Sequence, residues 1–366
     1  MPLVSGRDAA NRPVRSAKLK ICRRRFDRYS RMLARNNDSS RLYLRLSRGI
    51  TRDRDLLNLA SRSPDGGDPN LFLGAVHFLL LKGVKHRLRN YYPSLSPVQP
   101  PSDPVPAFRS FCLEHASEIL RLLRTRSVQT NEVGRCSALF PALHVVSKMG
   151  NDKPLVVLDL GTSAGLNLMW DCYEYDYGLA RRYGDENASV RLRCRLVGTV
   201  TPSLAPDSPT VASRTGVDIH PVNLTSPNDV LWLRALVWPE NVEREKMLLK
   251  AVRVVRQHNP RTIKGDMIRA LPRLLEDLPL EGTAAVICSF VLRQLSLSSR
   301  ERFFQILRLH SWNRTLFLIV LDSLDKSFAT LHLIIFRTGE ITRITLAECD
   351  YHGTWLRWLY KSIRTF

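Results

Sequence analysis

After Pro154 the hydropathy period of the chain changes, and that change constrains the fold more than any other feature. Leu155–Leu160 reads Leu-Val-Val-Leu-Asp-Leu, a short, nearly continuous apolar and β-branched run. Such a run marks a strand buried on both faces. Four further strand-like runs follow at residues 215–219, 262–265, 284–290 and 315–321. Helical stretches separate most of them, notably 242–258, 267–278 and 299–310. Strands alternating with helices require right-handed crossovers and a parallel sheet. Near the end, residues 331–336 and 341–346 flank Thr338-Gly339-Glu340, a hairpin signal. Five parallel strands closed by a hairpin predict an α/β domain with a doubly wound, mostly parallel, seven-stranded sheet.

The preceding half has a different period. Apolar residues recur at spacings of three and four through Leu42, Leu46 and Ile50 and again near Leu56–Leu59, which predicts an all-helical N-terminal domain. The Pro-rich stretch 93–106 predicts a loop. The expected layout is a disordered basic tail over 1–20, a helical cap domain over 21–128, and the sheet domain over 129–366 with an insertion at 176–213. The longest apolar stretch, Leu71–Leu81, is too short to span a bilayer, so no transmembrane segment is expected.

The net charge is +21, and residues 1–60 hold 16 Lys and Arg against 5 Asp and Glu. This block fits an anionic partner such as nucleic acid, or a solvated basic face. The 7 cysteines are scattered without a C-x-x-C pair, and the 9 histidines form no H-x-x-x-H pair. Reduced thiols, no protein-built metal site and a cytoplasmic location are the expectation. The basic N-terminus leaves an organellar address as the alternative.

The first strand runs into Asp159-Leu-Gly-Thr-Ser-Ala-Gly-Leu-Asn167. Gly161 and Gly165 permit a tight turn and the close approach of a ligand. A helix from Leu166 to Tyr175 would aim its N–H groups at that ligand. Asp159 stands at the carboxyl end of the strand, where open α/β sheets bind ligands. Further carboxylates end the next two strands, Asp218 after Thr215-Gly-Val and Asp266 after Lys264-Gly. The fourth strand ends in Cys288-Ser289-Phe290. An acidic crevice without a full G-x-G-x-x-G suits S-adenosylmethionine, whose ammonium, ribose hydroxyls and adenine amino group need acceptors and which has no pyrophosphate. The cofactor-binding set is therefore Asp159, Gly161, Ser163, Gly165, Asn167, Asp218 and Asp266, on a Rossmann-like sheet of methyltransferase type. Candidates near the reacting atoms are Glu132, Arg135, His220 and Ser289, with Gln129–Arg135 placed to close over the site. The aromatic cluster Trp170, Tyr173, Tyr175 and Tyr177 reads as packing rather than as a stacking platform. For each of Asp218 and Asp266 the alternative is a helix N-cap.

Two other readings of the same residues stand beside this one. Gly161-Thr-Ser163-Ala-Gly165 matches the G-x-S-x-G elbow of serine hydrolases, with Asp322 and His352 or His332 following in order. A catalytically silent methyltransferase fold that binds nucleic acid through the basic segment is the third.

Several longer motifs occur in order: Asn70-Leu-Phe-Leu-Gly-Ala-Val-His77-Phe-Leu-Leu-Leu81, Tyr91-Tyr-Pro93, Gln129-Thr-Asn131-Glu132-Val-Gly134-Arg135, the Asp159–Asn167 loop, Trp232-Leu-Arg-Ala-Leu-Val-Trp238-Pro, and His352-Gly-Thr-Trp355-Leu. With these the chain resembles the bacterial domain-of-unknown-function 2332 family over roughly Phe26 to Leu359. The resemblance implies a methyltransferase-like fold and an S-adenosylmethionine cofactor, with the methyl acceptor undefined.

Overall fold

The computed structural model describes residues 7–35, 40–129, 131–323 and 328–361. The chain divides into two compact units, residues 1–130 with 226–246, and residues 131–225 with 247–366.

Among its described residues the first unit has helices joined by turns and loops, and no strand. Helix α1 (Arg7–Arg35) buries Cys22, Phe26, Tyr29 and Leu33 at spacings of four, three and four. The expectation of a disordered tail over 1–20 is therefore corrected for residues 7–20, which continue this helix; residues 1–6 lie outside the described residues. The buried stripe supplies the nucleus. Extension toward the N-terminus then runs through good helix formers such as Ala, Arg and Lys, with the hydrogen bond at Pro13 missing. Next come α2 (Arg41–Arg52), capped by the Ser40 hydroxyl, and α3 (Arg54–Ala60), capped by Asp53. Helix α4 (Pro69–Leu81) is capped by Asp68 with Pro69 in its first turn, and α5 (Val105–Glu114) and α6 (Ala116–Thr125) follow.

The second unit opens with α7 (Cys136–Met149) and β1 (Leu155–Leu160). Beyond the glycine loop the chain forms a short 3-10 stretch, Leu166–Cys172, that kinks at Met169, in place of the expected helix 166–175. Side chains have taken the carbonyls such a helix would use. Tyr173 Oη donates to Leu166 O, Arg214 to Leu168 O and Tyr175 Oη to Trp170 O. All four clustered aromatics, Trp170, Tyr173, Tyr175 and Tyr177, are buried.

The insertion supplies β2 (Glu174–Asp176), β3 (Tyr183–Gly184) and β4 (Arg191–Arg193), which form a small separate sheet, and then β5 (Arg195–Leu196). Strand β6 (Val211–Asp218) returns to pair in parallel with β1, Asp159 opposite Gly216. Helix α8 (Pro227–Ala235) then belongs to the first unit, which corrects the expected continuous domain 129–366. There His77 Nδ1 lies 3.0 Å from Ala235 O, Phe78 meets Trp232 edge to face, and Gly74 leaves room for Leu236. The sequence of α8 carries no sign of which core it joins.

After α9 (Val242–His258) the chain alternates β7 (Arg261–Lys264), α10 (Met267–Glu276), β8 (Thr283–Ser289), α11 (Leu297–His310) and β9 (Leu316–Asp322). It ends in β10 (Ala329–Arg337), β11 (Glu340–Cys349) and β12 (Trp355–Trp358). Thr338 and Gly339, both at positive φ, close the β10–β11 hairpin in two residues.

The main sheet has nine strands in the order β5-β12-β11-β10-β9-β8-β1-β6-β7, not the expected seven. The two additions are β12, four residues, and β5, two residues, both too short to carry a period. The run from β7 to β9 is parallel, and β10 to β12 are antiparallel. Val156, Leu158 and Leu160 pack with Leu271 and Leu274 of α10 and Phe303 and Leu307 of α11. By strand alternation Leu155, Val157 and Asp159 face the other side, where α7 contacts β8 and β9. Among the described residues no helix is long and apolar enough to cross a membrane.

Candidate functional site

In chain order the five parallel strands lie third-second-first-fourth-fifth, so the winding direction reverses between β1 and β8. Open sheets of this kind bind ligands outside the carboxyl ends of their strands at that reversal. Asp159 stands there. It is 1% exposed and its Oδ2 has no hydrogen-bond partner. Its carboxyl pKa is pushed up to about 7. Burial is the main cause; the adjacent Thr162 hydroxyl, not aligned for a full hydrogen bond, pulls it down, the Asp218 charge raises it and Arg135 lowers it. A buried carboxyl held near neutrality, with an oxygen left over, is the feature most in need of a ligand.

The loop after β1 is held by backbone and side-chain bonds. Gly161 and Thr162 both donate their N–H to Val217 O of β6. Gly161, Ser163 and Gly165 all have positive φ, at 80°, 51° and 73°. For Ser163 this conformation costs about 1–2 kcal/mol, and three bonds hold it. Its N–H donates to Asp218 Oδ2 at 2.9 Å, its hydroxyl accepts from Asn131 Nδ2 at 2.6 Å, and Asn131 Oδ1 accepts Ala164 N–H at 3.0 Å. Gly216 is bare because Thr162 lies over it: a Cβ there would come within 2.5 Å of the Thr162 methyl.

Asp218 ends β6, beside the loop as its place in the sheet requires. Its second oxygen accepts His220 N–H at 2.8 Å. Its half-buried carboxylate therefore braces the loop. Asp266 is the N-cap of α10, one oxygen accepting the N–H groups of Ile268 and Arg269. Gly265 N–H donates to Asp218 O, which joins the ends of β6 and β7. Asn167, in the 3-10 stretch, accepts a weak bond from Cys136 Sγ at 3.5 Å. Gly161 departs from the sequence expectation in one respect. The space a Cβ would fill there is taken by Val291, 2.8 Å away, so this glycine admits the chain after β8 and not a ligand.

On the β8 side, the Arg135 guanidinium lies over the Phe290 ring, 4.3 Å from its centroid, and reaches Ser289 Oγ at 3.5 Å and Tyr351 O at 3.4 Å. Phe290 has φ +58°, a left-handed conformation uncommon for an aromatic residue. Glu132 Oε1 accepts Gly134 N–H at 3.3 Å. Gly134 packs so closely on His352 O that no Cβ would fit. Arg135 and Ser289 thus meet on the β8 side of the reversal and Glu132 turns back on Gly134, whereas the exposed His220 enters through its backbone.

Asn131, Thr162, Gly216, Phe290 and Tyr351 complete the site; the first four lie inside motifs the sequence marks but received no separate role there, and Tyr351 left no signal. Ser163 Oγ has an amide for its partner, and no imidazole bonds it among the described residues. His332 sits within 3.2 Å of Thr345 Oγ1 on β11, and His352 Nδ1 is 3.9 Å from Asp350.

No curated protein and no solved structure matches the chain. A family model described as "Uncharacterized protein conserved in bacteria (DUF2332)" matches residues 23–358, which takes in the helical unit and the sheet alike, and the chain belongs to that family.

Proposed function

We propose that the second unit is a Rossmann-like, S-adenosylmethionine-dependent methyltransferase domain. The observation that carries the reading is Asp159: a buried carboxyl with an unpartnered oxygen, at the end of the central strand where the winding reverses. The residues fit the cofactor's chemistry. An ammonium needs an acceptor in a dry setting, and Asp159 Oδ2 is one. Ribose hydroxyls need a carboxylate nearby, and each oxygen of Asp218 keeps a lone pair beyond its backbone N–H. Asp266 keeps one oxygen free of its cap for an amino group.

When bound, the cofactor supplies an electrophilic methyl group on sulfur. The protein's part is alignment and the exclusion of water, which methyl displacement needs more than it needs a strong base. Asn131 and Asp218 hold the loop in one shape. Arg135, steadied on Phe290, presents cationic N–H groups beside Ser289 on the side where an acceptor would enter.

The test is a calorimetric titration of the full chain with S-adenosylhomocysteine, paired with thermal unfolding. A ligand at 100 times its dissociation constant adds about 2.7 kcal/mol to the native state. The absence of both a heat of binding and a stability increment at millimolar ligand would sink the reading. Labelling of Ser163 by a fluorophosphonate would put hydrolysis in its place.

A further inference from the structure

We infer that α1 presents a docking row for the phosphodiester backbone of a nucleic-acid strand. The buried face of α1 carries Cys22, Phe26, Tyr29 and Leu33. Lys20, Arg24, Arg28, Arg31 and Arg35 recur at spacings of four, four, three and four, and all are exposed. At 3.6 residues per turn they fall within a sector of about 80° opposite the buried face. The row is about 22 Å long, with neighbours about 5–6 Å apart along the axis. None of the five pairs with a carboxylate among the described residues; Arg31 Nε donates to the backbone carbonyl of Asp27.

The packed neighbour α2 repeats the device. Arg41, Arg45, Arg48 and Arg52 recur at four, three and four, opposite its buried Leu42, Leu46 and Ile50. Among the described residues only Arg45 of these four reaches a carboxylate, Asp103 at 3.5 Å, and both side chains are about half exposed. Like charges set in line repel one another, and an unneutralised row of this length favours an equally regular anionic partner.

A phosphodiester strand is such a partner, with one charge per nucleotide at comparable intervals. Eight of the nine cations are arginines, whose planar fork matches a phosphate in two bonds. A membrane surface fits less well. A helix lying in a bilayer interface inserts its apolar face, and the apolar face of α1 is already buried within its own unit.

The experiment measures fluorescence anisotropy of the full chain with a labelled single-stranded RNA of roughly 20 nucleotides and with a DNA duplex of equal length, over a salt series. Five phosphate contacts predict a slope of log K against log salt of about −3.5 on a single strand and about −4.5 on a duplex. The R24Q/R28Q/R31Q variant, with helix-forming glutamines on an exposed face, should flatten the slope by about 2.1 on a single strand or about 2.7 on a duplex. Circular dichroism verifies its fold. The R269Q/R273Q/R302Q variant removes the same charge from α10 and α11 and should leave the slope unchanged. The better-bound nucleic acid names the source of the strand. Equal losses in both variants, no binding of either nucleic acid at about 50 mM salt, or tighter binding to phosphatidylserine vesicles that the R24Q/R28Q/R31Q variant abolishes, would overturn the inference.

Discussion

Replacing Asp159 with Asn should let the protein gain stability on the wild type as pH rises and weaken binding of the proposed cofactor. The folded carboxyl titrates at about 7 against a reference of 3.8, so the folded state holds its proton more tightly than the unfolded chain. The resulting stabilisation is fully present below pH ~4 and is lost as pH rises through 7. Three pH units at about 1.4 kcal/mol each correspond to ~4 kcal/mol, of which about 3 kcal/mol falls between pH 5 and pH 8. Asparagine keeps the shape and does not titrate. Urea unfolding of both proteins across that range should therefore show the variant gaining about 3 kcal/mol on the wild type as pH rises, whatever constant offset the amide introduces. Parallel stability curves would refute the assignment of a buried, near-neutral carboxyl. Binding supplies the second readout. An ammonium pairs with the ionised form, so the wild-type affinity for S-adenosylhomocysteine should rise about tenfold per pH unit up to 7 and then level off. The variant should bind at least tenfold more weakly at about pH 8, with little pH dependence, since a charge-assisted bond of this kind contributes roughly 1.5–3 kcal/mol. An unchanged affinity with a changed stability curve would separate the proposed cofactor from the proposed titration.

Asp218→Ala should weaken cofactor binding at least tenfold and lower stability by about 1.5–3 kcal/mol, because Ser163 and His220 lose the acceptor of their N–H groups; an unaltered denaturation midpoint would remove Asp218 as the brace. Gly161→Ala should destabilise by about 1–3 kcal/mol through overpacking against Val291 and the positive φ, and the added variant Val291→Ala should recover part of that loss in a double-mutant cycle. Gly216→Ala drives a methyl into Thr162 and should destabilise by about 1–3 kcal/mol; hydrogen exchange should place the effect in the loop 161–165, and a change spread evenly over the sheet would contradict that account. Asn131→Ala should release the Ser163 hydroxyl and free that loop by about 1 kcal/mol, read as faster exchange at the Ala164 amide.

Local sequence determined the alternation of elements, because strand and helix periods are properties of neighbouring residues. Leu155–Leu160, the β10–β11 hairpin at Thr338-Gly339 and the buried aromatic set 170–177 were legible for that reason. Asp159 and Asp218 were legible too, as acids that follow apolar runs. Tertiary structure alone decided what these residues touch. That Asp218 Oδ2 accepts the Ser163 N–H, that Gly161 makes room for Val291, and that Gly216 exists for Thr162 depend on segments 50 to 130 residues apart lying side by side. The helix expected after Leu166 failed because the Tyr173 and Tyr175 hydroxyls fold back onto its carbonyls and Arg214 of β6 takes another. Residues 7–20 of the basic tail became helix because α1 is buried further on in a core that local composition does not reveal. Helix α8 joined the first unit through contacts with α4, some 150 residues earlier in the chain. Periodicity is written between neighbours, whereas the partner of a side chain is set by packing, and packing joins residues that the sequence keeps far apart.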